Sequence, residues 1–194
     1  MNELKNEFIK IATNNIQRDG IKDLLGWLEY TDFYTAPAST KFHGAEPEGL
    51  LKHSLNVYYH IRTLYSTYYF NNLISLTPLT IVSLFHDLCK IDCYEEETRW
   101  KKIDNKWEAY TAYKFNDKLP LGAHAAKSLY LLQTFMKITV QEASAILTHM
   151  GAYEATNYSN TSKVYETNLL AWLLHVADEA DTFGILPFKG EENV

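Results

Sequence analysis

Five of the seven histidines in this chain fall where a helix would turn them inward. His53, His86, His124, His149 and His175 each sit on the apolar face, or at the end, of a different helical stretch. A single imidazole on such a face is an ordinary core residue. Burying several without partners costs free energy, and a shared cation removes that cost. A chain with this pattern is constrained to bring distant helices to one point.

The spacing of apolar residues supplies those helices. Leu4, Phe8, Ile11 and Ile16 predict a helix over residues 3–17, ended by Asp19-Gly20, and Ile21 to Leu28 a short second one. Thr31 to Gly49, with Pro37, Gly44 and Pro47, reads as a loop. Leu50 to Phe70 reads as a long helix, with Leu50, His53, Val57, Ile61, Leu64 and Tyr68 facing inward. Thr77-Pro78 reads as the N-cap and first residue of a helix that runs through Phe85 into His86-Asp87. Further helices are expected over Gly122 to Met136, Val140 to His149 and Glu166 to Asp181. Thr139 is the cap of the second of these and Glu142 completes a capping box, while Gly151 to Lys163 reads as a polar loop.

Residues 94–116 break the helical period. Arg99 to Lys102 and Lys106 to Phe115 are rich in Trp, Tyr and Thr, and Asp104-Asn105 between them is a turn signal, so an inserted β-hairpin is expected. The fold class is therefore all-α with a small hairpin. The 194 residues suit a single domain, with N-terminal helices over 1–30 and a metal-binding helical core over 50–181.

Composition sets the outer limits. Hydrophobic residues make up 46% of the chain and charged residues 22%, enough to build a core. The net charge of −6 argues against a basic face for long duplex nucleic acid. It leaves a nucleotide ligand open, because a bound cation supplies local positive charge. The start, MNELKNEFIK, resembles neither a secretory leader nor a transit peptide, and no apolar run is long enough for a membrane span, so a cytoplasmic protein is expected. Cys89 and Cys93 are too few for a disulfide framework and read as buried small residues, or as half of a zinc site.

The chemistry concentrates at His86-Asp87. A neutral imidazole beside a carboxylate suits Mn, Fe, Co, Ni or Zn. Neighbouring positions on a helix diverge by ~100°, so both reach one cation only at a particular depth. Lys90, four residues after His86, lies one turn along the same face, either as a phosphate contact or as a solvated lysine at a helix end. Asp178, in the apolar run LLHVAD, needs a partner, and a metal is one. His175 is a supporting group or a rival ligand, and Asp181 a cap or an exposed residue.

In this order the motifs resemble the HD-domain phosphohydrolase superfamily, and within it a subgroup of small bacterial and phage HD hydrolases. The residues are His53 in GLLKHSLNV, His86, Asp87 and Lys90 in LFHDLCKID, and Asp178 in LLHVADEAD, with His124 in GAHAAKS and His149 in ILTHMGAYE. The resemblance covers about residues 20–185. It implies one divalent ion on His53, His86, Asp87 and Asp178, and a second that shares Asp87 and adds His124 and His149. The ion would be Mn, Fe, Ni, Co, Zn or Mg. Related HD exonucleases often carry a second histidine where this chain has Met150, which is a poor ligand for a hard ion.

The activity so implied is metal-assisted hydrolysis of a phosphoester in a nucleotide or short oligonucleotide, with Asp87 and Lys90 in the catalytic machinery. Lys41 and His43, in the loop before the ligand helix, become substrate contacts beside Lys90. His60 is too far from His53 to share its ion. A 3′→5′ exonuclease, a non-catalytic nucleotide sensor and an adaptor protein stand as alternatives. The hairpin, with Trp100, Trp107, Tyr110 and Tyr113, either covers the site or forms a homodimer contact.

Overall fold

The computed structural model describes residues 2–41, 43–67, 73–151 and 158–185. It is mainly helical. Helices α1 (Asn2–Asn15) and α2 (Ile21–Leu28) lead through a loop into α3 (Gly49–Thr67) and α4 (Leu76–Phe85). A single 3-10 turn, Leu88–Lys90, precedes the antiparallel strands β1 (Tyr94–Ile103) and β2 (Lys106–Phe115). Helices α5 (His124–Gln133), α6 (Val140–Thr148), α7 (Tyr158–Thr167) and α8 (Leu169–Thr182) follow. Among the described residues no helix is long and apolar enough to cross a membrane.

Helix α4 organises the packing. Every residue from Leu79 to Phe85 is buried, so the helix is enclosed rather than amphipathic. Its two buried hydroxyls are satisfied within the helix, Thr80 donating to the Leu76 carbonyl and Ser83 to that of Leu79, both at 2.8 Å. Helix α3 packs against α4 and α8, α6 against α8, and α1 against α4. Phe8 of α1 meets Phe33, Tyr34 and Phe85 at ring separations of 5.2, 5.9 and 5.7 Å. Of the inward stripe expected on α3, Leu50, His53, Val57 and Ile61 are buried and Leu64 is half-buried, while Tyr68 lies outside the described residues.

Local signals explain several boundaries. Thr139 accepts a hydrogen bond from the Glu142 amide and Glu142 accepts one from the Thr139 amide, which is the expected capping box. Glu142 also takes two hydrogen bonds from Arg18, at 2.7 and 2.9 Å, tying α6 to the α1–α2 connection. The hairpin turns at Asp104 and Asn105, with φ of 47° and 65°. Two positive values are what a two-residue turn between right-twisted strands requires.

Three expectations change. The cap of α4 is Ser75, not Thr77. The Thr77 hydroxyl instead donates to the Asn15 carbonyl at 2.8 Å, so its role is to hold α4 to the end of α1. Residues 158–163, expected as part of a polar loop, belong to α7; residues 152–157 lie outside the described residues. Helix α7 is tied to α6 in part by Tyr165 donating to the Thr148 carbonyl at 2.6 Å. The last helix starts at Leu169 rather than Glu166. Asn168 interrupts the path, accepting from the Leu170 amide while its own amide group donates to Gln141 and Ser144 of α6.

Candidate metal centre

Helix α4 stops at Phe85, and that stop matters for the site. His86 is the helix C-cap and Asp87 leaves helical geometry at φ −107°, ψ 22°. The divergence expected of neighbouring helical positions therefore does not apply, and both side chains turn to the same place. His86 and Asp87 are 0% and 3% exposed, because the enclosed end of α4 carries them into the core.

His53 from α3 and Asp178 from α8 meet them there. His53 Nε2 lies 3.2 Å from His86 Nε2, 3.4 Å from Asp87 Oδ2 and 3.3 Å from Asp178 Oδ1. His86 Nε2 lies 3.6 Å from Asp87 Oδ2 and 3.8 Å from Asp178 Oδ1. Four donors at ~2.1 Å from one ion stand ~3.4 Å apart in a tetrahedron. The five spacings around His53 and His86 bracket that value; His53, His86 and Asp178 together could hold a metal ion, as could His86, Asp87 and His149.

The outer ring nitrogens fix the tautomers. His86 Nδ1 donates to the Ser83 carbonyl at 3.0 Å and His149 Nδ1 to the Ile146 carbonyl at 2.6 Å. A carbonyl only accepts, so each Nδ1 carries the proton and each Nε2 keeps its lone pair. His53 Nδ1 is held by Asp181 Oδ2 at 2.6 Å, and Asn56 donates to the other Asp181 oxygen at 2.6 Å. A ligating histidine normally anchors its second nitrogen in this way. His149 Nε2 is buried and has no hydrogen-bond partner among the described residues.

Asp87 faces two groups with two different oxygens. Oδ2 looks towards His53 and His86 and takes an ion pair from Lys90 at 2.6 Å. Oδ1 is 2.7 Å from His124 Nε2 and 3.7 Å from His149 Nε2. His124 comes from the first residue of α5 and His149 from the cap of α6. His53, His86, His124 and His149 thus all come within 4.0 Å of the Asp87 carboxylate, and Asp178 joins them through His53 and His86.

Electrostatics follow from burial and pairing. Burial pushes the His86 pKa down to about 4 and lowers that of His149, so both imidazoles stay neutral. Burial also opposes charge on His53, but its hydrogen bonds to Asp178, Asp181 and Asp87 outweigh that and raise its pKa well above the usual value. His124 is pushed up to about 10, because Cys89 and Asp87 beside it overcome its burial. Against the effect of burial, Lys90 and His86 hold Asp87 far below the ordinary carboxylate range, and His53 and His86 do the same for Asp178. The cluster keeps two carboxylates ionised inside the protein, beside the lysine and histidines that offset them.

The remaining residues sort by distance. The His43 ring stands 5.2 Å from that of His53, with Nε2 3.5 Å from the Thr182 hydroxyl, at the edge of the cluster. Lys41 is exposed in the same loop. His60 comes no closer than 4.0 Å to Asp181 Oδ1. His175 donates from Nδ1 to the His149 carbonyl at 2.7 Å and stacks on Tyr165, so it supports the backbone of His149. Cys89 and Cys93 are free and buried. The sequence makes Asp181 a cap or an exposed residue and gives Asn56 no role, yet Asp181 holds His53 and Asn56 holds Asp181. The available signal was their spacing, each three residues beyond a ligand on the same helix face.

Comparison of the chain with family models, with curated proteins and with solved structures gives no match.

Proposed function

We propose that this chain is a metal-dependent phosphohydrolase of the HD type, acting on a nucleotide or a short oligonucleotide. The observation that carries the reading is the convergence of His53, His86, Asp87 and Asp178, from three helices, with the Nε2 atoms of both imidazoles aimed inward. Their order along the chain is the order in which the resemblance to HD proteins places ligands. A divalent ion held there supplies Lewis acidity that activates water near neutral pH and polarises a phosphoryl oxygen. Asp87 is the shared ligand, since each of its oxygens serves a different group. Asp181 positions His53 and fixes its tautomer. Lys90 neutralises Asp87 at rest and puts a fixed positive charge beside the place where a phosphate would sit. His43, at the edge of the cluster, and Lys41, exposed on the same loop, are the candidate substrate contacts. The expected cytoplasmic setting belongs to this proposal.

A second reading, a 3′→5′ exonuclease on single strands, draws on the hairpin. Trp100 and Trp107 are 62% and 67% exposed, and the register puts them on one face. Residues 99–107 hold four cations against one carboxylate. Exposed aromatic rings among cations suit the stacking of unpaired bases.

The test is to measure bound metal, then assay the protein with Mn or Ni against nucleoside mono-, tri- and cyclic phosphates and single-stranded oligonucleotides. Turnover of a nucleotide supports the first reading and stepwise shortening of oligonucleotides the second. A filled metal site with no turnover across the panel contradicts both.

A further inference from the structure

Cys89 is not used by the reading above. It stands on the 3-10 turn two residues after Asp87 and is 4% exposed. Its amide donates to the Ser128 hydroxyl of α5 at 3.0 Å, which pins the turn beside His124. Its Sγ lies 3.1 Å from His124 Nδ1 and 3.3 Å from Nε2. A thiol has one proton and a neutral imidazole one N–H, so near-equal distances to both nitrogens do not describe a well-formed hydrogen bond. They describe a sulfur placed against the ring edge.

That edge faces the Oδ1 side of Asp87. The ligand atoms of Asp87, Cys89 and His124 all lie within 4.8 Å of one another. His149 supplies an independent sign: its Nε2 is fully buried, has no hydrogen-bond partner among the described residues, and sits 3.7 Å from the same Asp87 oxygen. The rings of His124 and His149 are 5.6 Å apart. One oxygen, one sulfur and one imidazole therefore gather on this side, with His149 approaching through the same Asp87 oxygen while also grouping with His86, whereas the His53 side has only nitrogen and oxygen.

We infer that Cys89 is a thiolate ligand of the second ion, beside Asp87, His124 and His149. This rests on the metal-centre reading above and adds an ion class to it. Thiolate donors favour zinc, iron and cobalt and disfavour magnesium, so the two positions of the centre differ in the ions they accept. Binding there replaces the thiol proton with the metal and releases that proton to solvent.

The experiment uses the full chain, freed of metal and titrated with Co(II), read by absorption. The expected result is two equivalents of cobalt, with visible ligand-field bands and a sulfur-to-cobalt charge-transfer band in the near ultraviolet. Cys89→Ser should lose the charge-transfer band and bind the second equivalent at least about tenfold more weakly, while the first equivalent and its visible bands remain. Those remaining bands also report that the variant is folded. Cys93→Ser should keep the full spectrum. Cobalt bound by the unaltered chain without a charge-transfer band, or a band that survives in Cys89→Ser, overturns the inference and leaves the metal centre standing. Failure to take up cobalt at all overturns the metal-centre reading, and the inference with it.

Discussion

The helical centre and the hairpin invert the usual partition of residues in opposite ways. The centre buries His53, His86, Asp87, His149 and Asp178, groups that solvate well in water. The hairpin exposes Trp100, Trp107 and Phe115, groups that water disfavours. Most of these polar groups are tolerated in the core because they find partners there: Asp181 for His53, Ser83 for His86, Lys90 and His124 for Asp87, with His149 Nε2 the exception. Exposed aromatics in the hairpin are tolerated because the strands form their own ladder from Tyr94↔Phe115 to Ile103↔Lys106. The difference teaches where dependence lies. Removing one member of the centre strands the others, whereas removing a hairpin tryptophan strands nothing inside the fold.

The largest effect should come from Asp87→Ala. Both groups of ligands lose the carboxylate they share, so metal content and turnover should disappear together. Metal analysis and activity on the same preparation check this. Full metal content in that variant would break the contrast between the two regions.

Asp181→Asn should do less. It keeps the shape and removes the charge that anchors His53, so metal affinity should fall by about 10- to 100-fold, as read by calorimetric titration. Unchanged affinity would show that the anchor is only structural.

Thr139→Ala should cost about 1 kcal/mol of stability by removing the α6 cap and leave metal affinity unchanged. Thermal melting beside metal titration separates the two. The double change Trp100→Ala, Trp107→Ala should move stability by no more than about 0.5 kcal/mol, measured by urea unfolding. A larger loss would mean that the two tryptophans pack on the fold rather than standing outside it.

Legibility in the sequence followed the range of the interactions. The hairpin turn at Asp104-Asn105 and the Thr139–Glu142 box are local, and both could be read from adjacent residues. The mainly helical class was legible from the apolar spacing on α1 and α3. Helix α7 was not, because residues such as Ser162 and Lys163 mask it and Tyr165 is held by a distant carbonyl. The cap of α4 was misread because Thr77 serves Asn15, which lies far away in the sequence. For the centre, the ligand set came from histidine placement together with the HD resemblance. The anchoring of His53 by Asp181 depends on how α3 lies against α8, which no local pattern states. The approach of Cys89 to His124 depends in the same way on α5 lying against the 3-10 turn.

The most direct test of the metal centre is an anomalous-scattering crystal structure of the protein soaked with manganese. The expected result is a peak within bonding distance of His53 Nε2, His86 Nε2, Asp87 and Asp178 together. Manganese bound elsewhere, with these four side chains left to each other, would contradict it.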